Sequence, residues 1–416
     1  MKITIRDLFP IAIISIFVLI VASVIDAHSG IANLKRIEAL RADPRSVGFF
    51  CADNGEFSGM GELHYISQVL QQPVQHTIDQ CGNVTSGYIL DKRDGSKVPS
   101  LIVTTGISAL NAAMCTASIQ QQFQLTKILY IGTSGWSQFV GGLDPLAGCQ
   151  SLPQAHSSRV RGANSLGSVC ITNAAASYAC GMCVHNDSIA HTSECSRPSC
   201  NSRDSESLFG PCTFHSTNQD LQLALLNTAK QLTFPAMPAR LQQLSDQYWK
   251  AQSAATNGAP TPVIPSIHQN CLEMDMQKIT ASGPVDYLCR EYVADVMNKY
   301  KLGTAPSLTA NDVNCVGAME GIGFLRAIYG RHPNSQPMNA GVQIAIIRGA
   351  SNWDSYPLKQ SKWGEEAKGV NGLPATKWSQ IYNYTSESEH GELTTLGYQY
   401  AILTTNTIAL SYIGNL

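Results

Sequence analysis

Residues 101–136, from Leu101 to Trp136, read LIVTTGISALNAAMCTASIQQQFQLTKILYIGTSGW, and this stretch decides the fold. Leu101–Thr105 is a β-branched and aliphatic run that does not alternate with polar residues, the pattern of a strand buried on both faces. Gly106 breaks it. From Ala109 to Gln122 the residues Ala109, Ala112, Ala113, Cys115 and Ala117 recur among polar ones, which predicts a helix whose small face packs closely on a sheet. Lys127–Ile131 reads as the next strand, with Gly132-Thr133-Ser134-Gly135 as a turn at its carboxyl end. Such a unit crosses over right-handed and sets both strands parallel in one sheet, and open α/β sheets take their ligands at the carboxyl ends of such strands. The class expected is α/β.

Working outward, Ser46–Cys51 (SVGFFC) is a short apolar strand, and the segment after it sets Glu56 just beyond a strand end. Gly59–Gln71 reads as a helix, with Met60, Leu63, Ile66, Val69 and Leu70 at helical spacing. Residues 74–98 are irregular, with Cys81 in a turn and Gly87–Leu90 as a short strand. Beyond Trp136 come a glycine- and proline-marked loop over 141–153 and a strand around SVCIT within Val160–Ala176. Helices follow at Asp220–Leu232 and Ala239–Ala251, then a Pro-rich linker at Gly258–Pro265. Next are a strand at Lys278–Ser282, a helix at Leu288–Tyr300, a strand at Val313–Ala318 and a helix at Ile322–Tyr329. Gly341–Arg348 is the last strong strand, and a helix of roughly Leu393–Tyr412 closes the chain.

The chain of 416 residues, 44% hydrophobic, can bury a sizeable core. Its 28 basic and 30 acidic residues leave a net charge of −2, so it carries neither a basic stripe for nucleic acid nor an acidic tail. Residues 1–27 read as a targeting segment: Lys2 and Arg6 precede an apolar run from Ile11 to Ile25, and Asp26-Ala27 leads into a cleavage site. A cleaved signal peptide is expected, with a membrane anchor formed by residues 8–25 as the alternative. Either way the body, one domain over 28–416, faces a lumen or the outside. Thirteen cysteines fit an oxidising compartment, as do sequons at Asn83, Asn186 and Asn383. Seven of the cysteines fall between Cys149 and Cys212, which reads as a disulfide-stapled insertion spanning about 140–270. Zinc is the weaker reading there, despite His185, His191 and His215, because only the Cys180/Cys183 pair has ligand spacing. No metal and no cofactor is expected, and a homo-oligomer is compatible with the sequence.

Five strand ends carry polar residues: Glu56, Thr133-Ser134, Ser282-Gly283, Met319-Glu320 and Ser351-Asn352-Trp353-Asp354. Each alone is an ordinary turn residue or cap, but in this order they point to one pocket. Their wording resembles the nucleoside phosphorylase and nucleosidase superfamily, which includes methylthioadenosine/S-adenosylhomocysteine nucleosidases, plant bark and vegetative storage proteins and purine nucleoside permease-like proteins. VGFFCADNGEF is similar to the family's first strand and acidic loop, GISALNAA to Gly-Ile-Gly-Lys-x-x-Ala-Ala, and IGTSGW to the Gly-Ser-Ala-Gly turn. SLGSVCIT resembles Val-Gly-Asp-Ile-Val-Val, ITASGPVDY resembles Val-Ser-Gly-Asp-x-Phe, AMEG the Met-Glu pair, and IIRGASNWD the segment Arg-Ala-Ile-Ser-Asp.

The resemblance implies a three-layer nucleoside phosphorylase-like fold, a central mixed sheet flanked by helices, and a small-molecule purine nucleoside as ligand. It implies that Glu56 activates water with Thr133, that Met319 and Glu320 hold the ribose beside Ser134 and Gly135, and that Tyr287 or Asp286 lies near the base. Asn352 and Asp354 would meet the base on the far side. Cleaving an N-glycosidic bond passes through a cationic ribosyl transition state, so a carboxylate on the sugar, an activated nucleophile and a donor for the departing base suit the chemistry. Two departures count. Asn352 stands where the family has Asp, and an amide hydrogen-bonds a purine without protonating it. Tyr130 stands where a hexameric phosphorylase would have a phosphate-gripping Arg, which favours water over phosphate. A binding, uptake or storage protein of the same fold and a phosphate-dependent phosphorylase are the alternatives.

Overall fold

The structure is a computed structural model that describes residues 34–56, 58–136, 165–177, 213–215, 218–252, 264–275, 294, 297–298, 301, 307–309, 312–330, 341–353 and 387–416. Its strands are β1 (Val47–Cys51), β2 (Gln71–His76), β3 (Asn83–Leu90), β4 (Lys97–Thr104), β5 (Lys127–Trp136), β6 (Val169–Ser177), β7 (Thr213–His215), β8 (Ile267–Asp275), β9 (Asn314–Ala318) and β10 (Gln343–Trp353). Its helices are α1 (His64–Gln68), α2 (Ala109–Phe123), α3 (Gln219–Lys230), α4 (Ala239–Gln252), α5 (Gly321–Tyr329) and α6 (Glu387–Tyr412).

The strands form one mixed sheet in the order β10-β6-β8-β9-β5-β1-β4-β3-β2, with β7 on β6, and β10 also pairs with β5. That extra pairing closes β5, β10, β6, β8 and β9 into a ring. Parallel β5-β1-β4, the unit legible in Leu101–Trp136, with β1 inserted between its strands, extends the ring on one side.

These strands are buried on both faces, and alternate residues feed two cores. Phe50, Ile128, Tyr130, Ile344 and Ile346 pack with Ile119 of α2 and Phe324 of α5. Phe49, Leu129, Ile131, Ala345 and Ile347 pack with Leu225 of α3 and Ile408 of α6. Helices therefore cover both faces of the sheet. Burying a residue such as Phe49 or Phe50 stabilises by about 1.5–3 kcal/mol. The helix read at Ala109–Gln122 forms as α2, its N-terminus capped by Ser108, which accepts from the Asn111 N–H.

Several expectations are corrected. Gly132-Thr133-Ser134-Gly135 is not a turn: β5 runs on to Trp136, because β10 pairs with it in parallel up to Trp353 and β9 pairs with Gly135 and Trp136. Ser351-Asn352-Trp353 is likewise strand. The helix expected over Gly59–Gln71 shrinks to His64–Gln68, and residues from Gln71 onward leave it to pair with β3. Within 74–98, Cys81 lies in the β2–β3 connection and Gly87–Leu90 is strand as expected, but that strand begins at Asn83 and pairs in an antiparallel β2-β3-β4 edge. Strand β8 lies outside the sequence expectation, because His268, Gln269, Asn270 and Glu273 interrupt its apolar pattern.

Within 140–270, β6, β7, α3, α4 and the start of β8 belong to the sheet and its helices. Disulfides join Cys170 to Cys271, between β6 and β8, and Cys81 to Cys115, between the β2–β3 connection and α2. Residues 1–33, with the targeting segment, the Cys180/Cys183 pair and the strand expected at 278–282 lie outside the described residues, as does most of the helix expected at 288–300. Among the described residues no helix is long and apolar enough to cross a membrane.

Candidate active site

At the carboxyl end of β5 a buried carboxylate is held by four donors. The Ala52 and Asp53 N–H groups donate to Glu62 Oε2 at 2.9 and 3.1 Å, and the Thr133 N–H and hydroxyl donate to Glu62 Oε1 at 2.6 and 3.1 Å. The loop between β1 and α1 makes this possible by turning back so that the Glu62 N–H donates to the Asp53 carbonyl. From α6, the Asn406 amide donates to the Glu62 carbonyl at 2.8 Å and fixes the backbone behind the side chain.

Position 132 has no room for a side chain unless its neighbours shift. A Cβ there would meet the Arg348 guanidinium and lie 2.8 Å from Glu62 Oε1. Arg348, one register step across β10, is wholly buried beneath this point. Its Nε and Nη2 donate to the two oxygens of Glu273 on β8 at 2.8 and 2.9 Å, and Nη2 reaches Glu320 Oε2 at 3.2 Å. The guanidinium lies 5.1 Å from the centre of the Tyr130 ring. Glu320, at the start of α5, also accepts from the Met319 N–H at 3.2 Å and the Ser108 N–H at 3.4 Å.

One guanidinium thus serves a site with three buried glutamates, and the electrostatics follow. Burial pushes the Glu320 carboxyl up to about 7 against the pull of Arg348, and Glu62 and Glu273 push it the same way as burial. Burial also raises Glu62, opposed by Arg348 and by its backbone donors. Burial works against the Arg348 charge, but Glu273 and Glu320 outweigh it and hold the guanidinium protonated. Among the described residues no group of three or more His, Cys, Asp or Glu side chains is arranged to hold a metal ion.

Hydroxyls complete the site. The Ser351 hydroxyl lies 3.0 Å from the Ser134 carbonyl oxygen and 2.8 Å from Asn352 Oδ1, and the Trp136 indole N–H donates to Ser134 Oγ at 2.7 Å. Tyr398 of α6 lies beside Thr133 and Ser351, and burial pushes its phenol up to about 12. Gly397 permits this approach, since a Cβ there would meet the Ser351 carbonyl.

Of the residues singled out in the sequence, Thr133, Ser134, Gly135, Ser351 and Asn352 lie together on the paired ends of β5 and β10, with Met319 and Glu320 beside them across β9. Glu56 is exposed, and the carboxylate that meets Thr133 is Glu62. Tyr287, Asp286 and Asp354 lie outside the described residues. Sequence reasoning left Glu62, Glu273, Arg348 and Tyr398 out of the site. The one signal for Glu62 is its place as the second glutamate in the segment after β1, farther from the strand end than Glu56.

No protein-family model matches this sequence, and no curated protein sequence matches it. Solved structures do. A methylthioadenosine/S-adenosylhomocysteine nucleosidase from Neisseria meningitidis, in complex with methylthio-immucillin-A, is similar over 89% of this chain and 100% of its own, at 12% identity and a TM-score of 0.43. The futalosine hydrolase of Helicobacter pylori is similar over 89% of this chain and 98% of its own, at 10% identity and a TM-score of 0.43. A putative methylthioadenosine nucleosidase from Weissella paramesenteroides is similar over 90% of this chain and 98% of its own, at 11% identity and the same TM-score, 0.43.

Proposed function

We propose that this protein is a purine nucleosidase-like enzyme of a secretory compartment, which cleaves the N-glycosidic bond of purine nucleosides with water. The observation that carries the reading is the pairing of two buried carboxylates, Glu62 and Glu320, in the field of one guanidinium at the end of β5. In this reading Glu62, not Glu56, takes a proton from the attacking water beside Thr133. Glu320, next to Met319, accepts from the sugar hydroxyls and offsets the positive charge that develops on the ribosyl ring. The Asn352 amide hydrogen-bonds the base.

Water is favoured over phosphate on charge. Tyr130 is buried, with its hydroxyl 2.9 Å from that of Thr105, and the cation above it is engaged by Glu273 and Glu320. A phosphate dianion brought here would meet three buried glutamates around a single guanidinium. The test is release of free base from adenosine, inosine or methylthioadenosine in phosphate-free buffer, followed by chromatography. A strict requirement for phosphate would make the chain a phosphorylase.

Asn352 favours a second reading, a nucleoside-binding, uptake or storage protein of the same fold, because an amide cannot act as the acid. Calorimetric binding of nucleoside without release of base supports that reading.

A further inference from the structure

The sequon Asn83-Val84-Thr85 opens β3, and the strand sorts its side chains between two faces. Val84 turns inward, 1% exposed, into the core that holds Phe50 and Ile119, while Asn83 and Thr85 share the outer face and are both partly exposed. Around them Gln75, Thr77, Asp79, Gln80 and Gly82 are exposed. Gln75 of β2 reaches both polar members of the sequon: its amide NH₂ donates to Asn83 Oδ1, and its oxygen accepts from the Thr85 hydroxyl at 2.8 Å. That contact uses the Asn83 oxygen and leaves Nδ2, the atom to which a glycan bonds, outside it. Two residues before the sequon, Cys81 is bonded to Cys115, a bond that persists in an oxidising compartment. Resting on the secretory compartment of the nucleosidase reading, we propose that Asn83 is a site of N-linked glycosylation on the outer face of β3.

The co-reactant is a lipid-linked glycosyl diphosphate. Asn83 Nδ2 bonds to the anomeric carbon of its first sugar, the bond from that carbon to the diphosphate oxygen breaks with its electron pair going to the diphosphate, and one amide proton leaves to a base. Nδ2 keeps its second hydrogen and Oδ1 is unchanged, so the hydrogen bond from Gln75 survives the modification. The position also suits a bulky, hydrated group. Among the described strands β2 ends the sheet, and an end strand must be kept from pairing with other chains. Pro73 and the register shift between Gln71 and Val74 blunt its first half. Its second half, where Gln75 and His76 pair with Thr85 and Val84, lies next to Asn83, so an oligosaccharide there stands beside the part of the edge that neither device protects.

The experiment expresses the full chain in a eukaryotic secretory host, removes N-glycans with a glycan-releasing amidase in heavy-oxygen water, and maps the labelled peptides by mass spectrometry. The sequons at Asn186 and Asn383, which lie outside the described residues, are mapped in the same digest. The expected result is label on the Asn83 peptide. Asn83→Gln and Thr85→Ala should each lose that label and migrate faster on a gel by one glycan, while Thr85→Ser, which keeps a hydroxyl in the sequon, should retain both. An unlabelled Asn83 peptide in the wild-type chain overturns the site, as does label that persists in Thr85→Ala. Label at Asn186 or Asn383 with none at Asn83 removes the site and leaves the compartment standing; a chain held in the cytosol without label removes both. None of these outcomes depends on release of base, so the site and the nucleosidase reading fail separately.

Discussion

Arg348 and Glu273 form a two-pronged ion pair, 2.8 and 2.9 Å long, between side chains that are both almost wholly buried. Such a pair contributes little net stability relative to an apolar pair, but breaking it leaves an uncompensated charge. Glu273→Ala is therefore expected to destabilise the fold by about 3–5 kcal/mol in urea denaturation. Adding Arg348→Met to that variant removes the stranded guanidinium and is expected to recover a large part of the loss; simple additivity of the two changes would contradict the pairing.

Glu62 and Glu56 separate by substitution. Glu62→Gln turns an amide NH₂ toward N–H donors of Ala52 and Asp53 or of Thr133, so both the melting temperature and turnover should fall, turnover by about 10²-fold or more. Glu56→Gln lies on exposed chain and should change stability by less than about 0.5 kcal/mol and leave turnover intact. Loss of activity in the Glu56 variant would make Glu56, not Glu62, the water-activating group.

Glu320 makes the protein's behaviour depend on pH near neutrality. Its carboxyl is raised from 4.5 to about 7, so between those values the folded chain keeps a proton that the unfolded chain releases. Its stabilising contribution is complete below 4.5 and is lost as pH rises through about 7. Glu320→Gln, fixed in the neutral form, should show no such decline in melting temperature. Because sugar hydroxyls bind the ionised form, kcat/KM of the wild type should rise through the same pH range.

Gly132→Ala tests the crowding under Glu62. The added methyl meets Arg348 and Glu62 at once, in a strand whose partners on both sides are fixed, so a loss of about 1–3 kcal/mol is expected. A variant as stable as wild type would mean that the guanidinium has room to retreat.

The order of elements from β4 to β5 was readable because unbroken apolar runs and a small-faced helix have one good solution, a parallel sheet covered on both sides. The same holds for α3, α4, α5, β9 and α6, each with a strong local pattern. Local pattern misled at Gly132–Gly135 and Ser351–Trp353, where glycine and polar residues read as turns. Pairing between two strands distant in sequence extends both runs, and nothing local records that partner.

Sequence by itself determined the strand–helix–strand core and the positions of Thr133, Ser134, Met319, Glu320 and Asn352 at strand ends, since these follow from hydrophobic period and from short motifs. Only the tertiary structure decided which glutamate meets Thr133. That choice depends on a loop folding back over β1 and on Asn406 holding Glu62 from a helix 344 residues away. It also decided that Arg348 is matched by Glu273 on an unforeseen strand and that Tyr398 is buried beside Thr133 and Ser351. The physical reason is common to all three: burial makes each polar group find a partner, and the partner comes from whichever segment the closed sheet brings alongside.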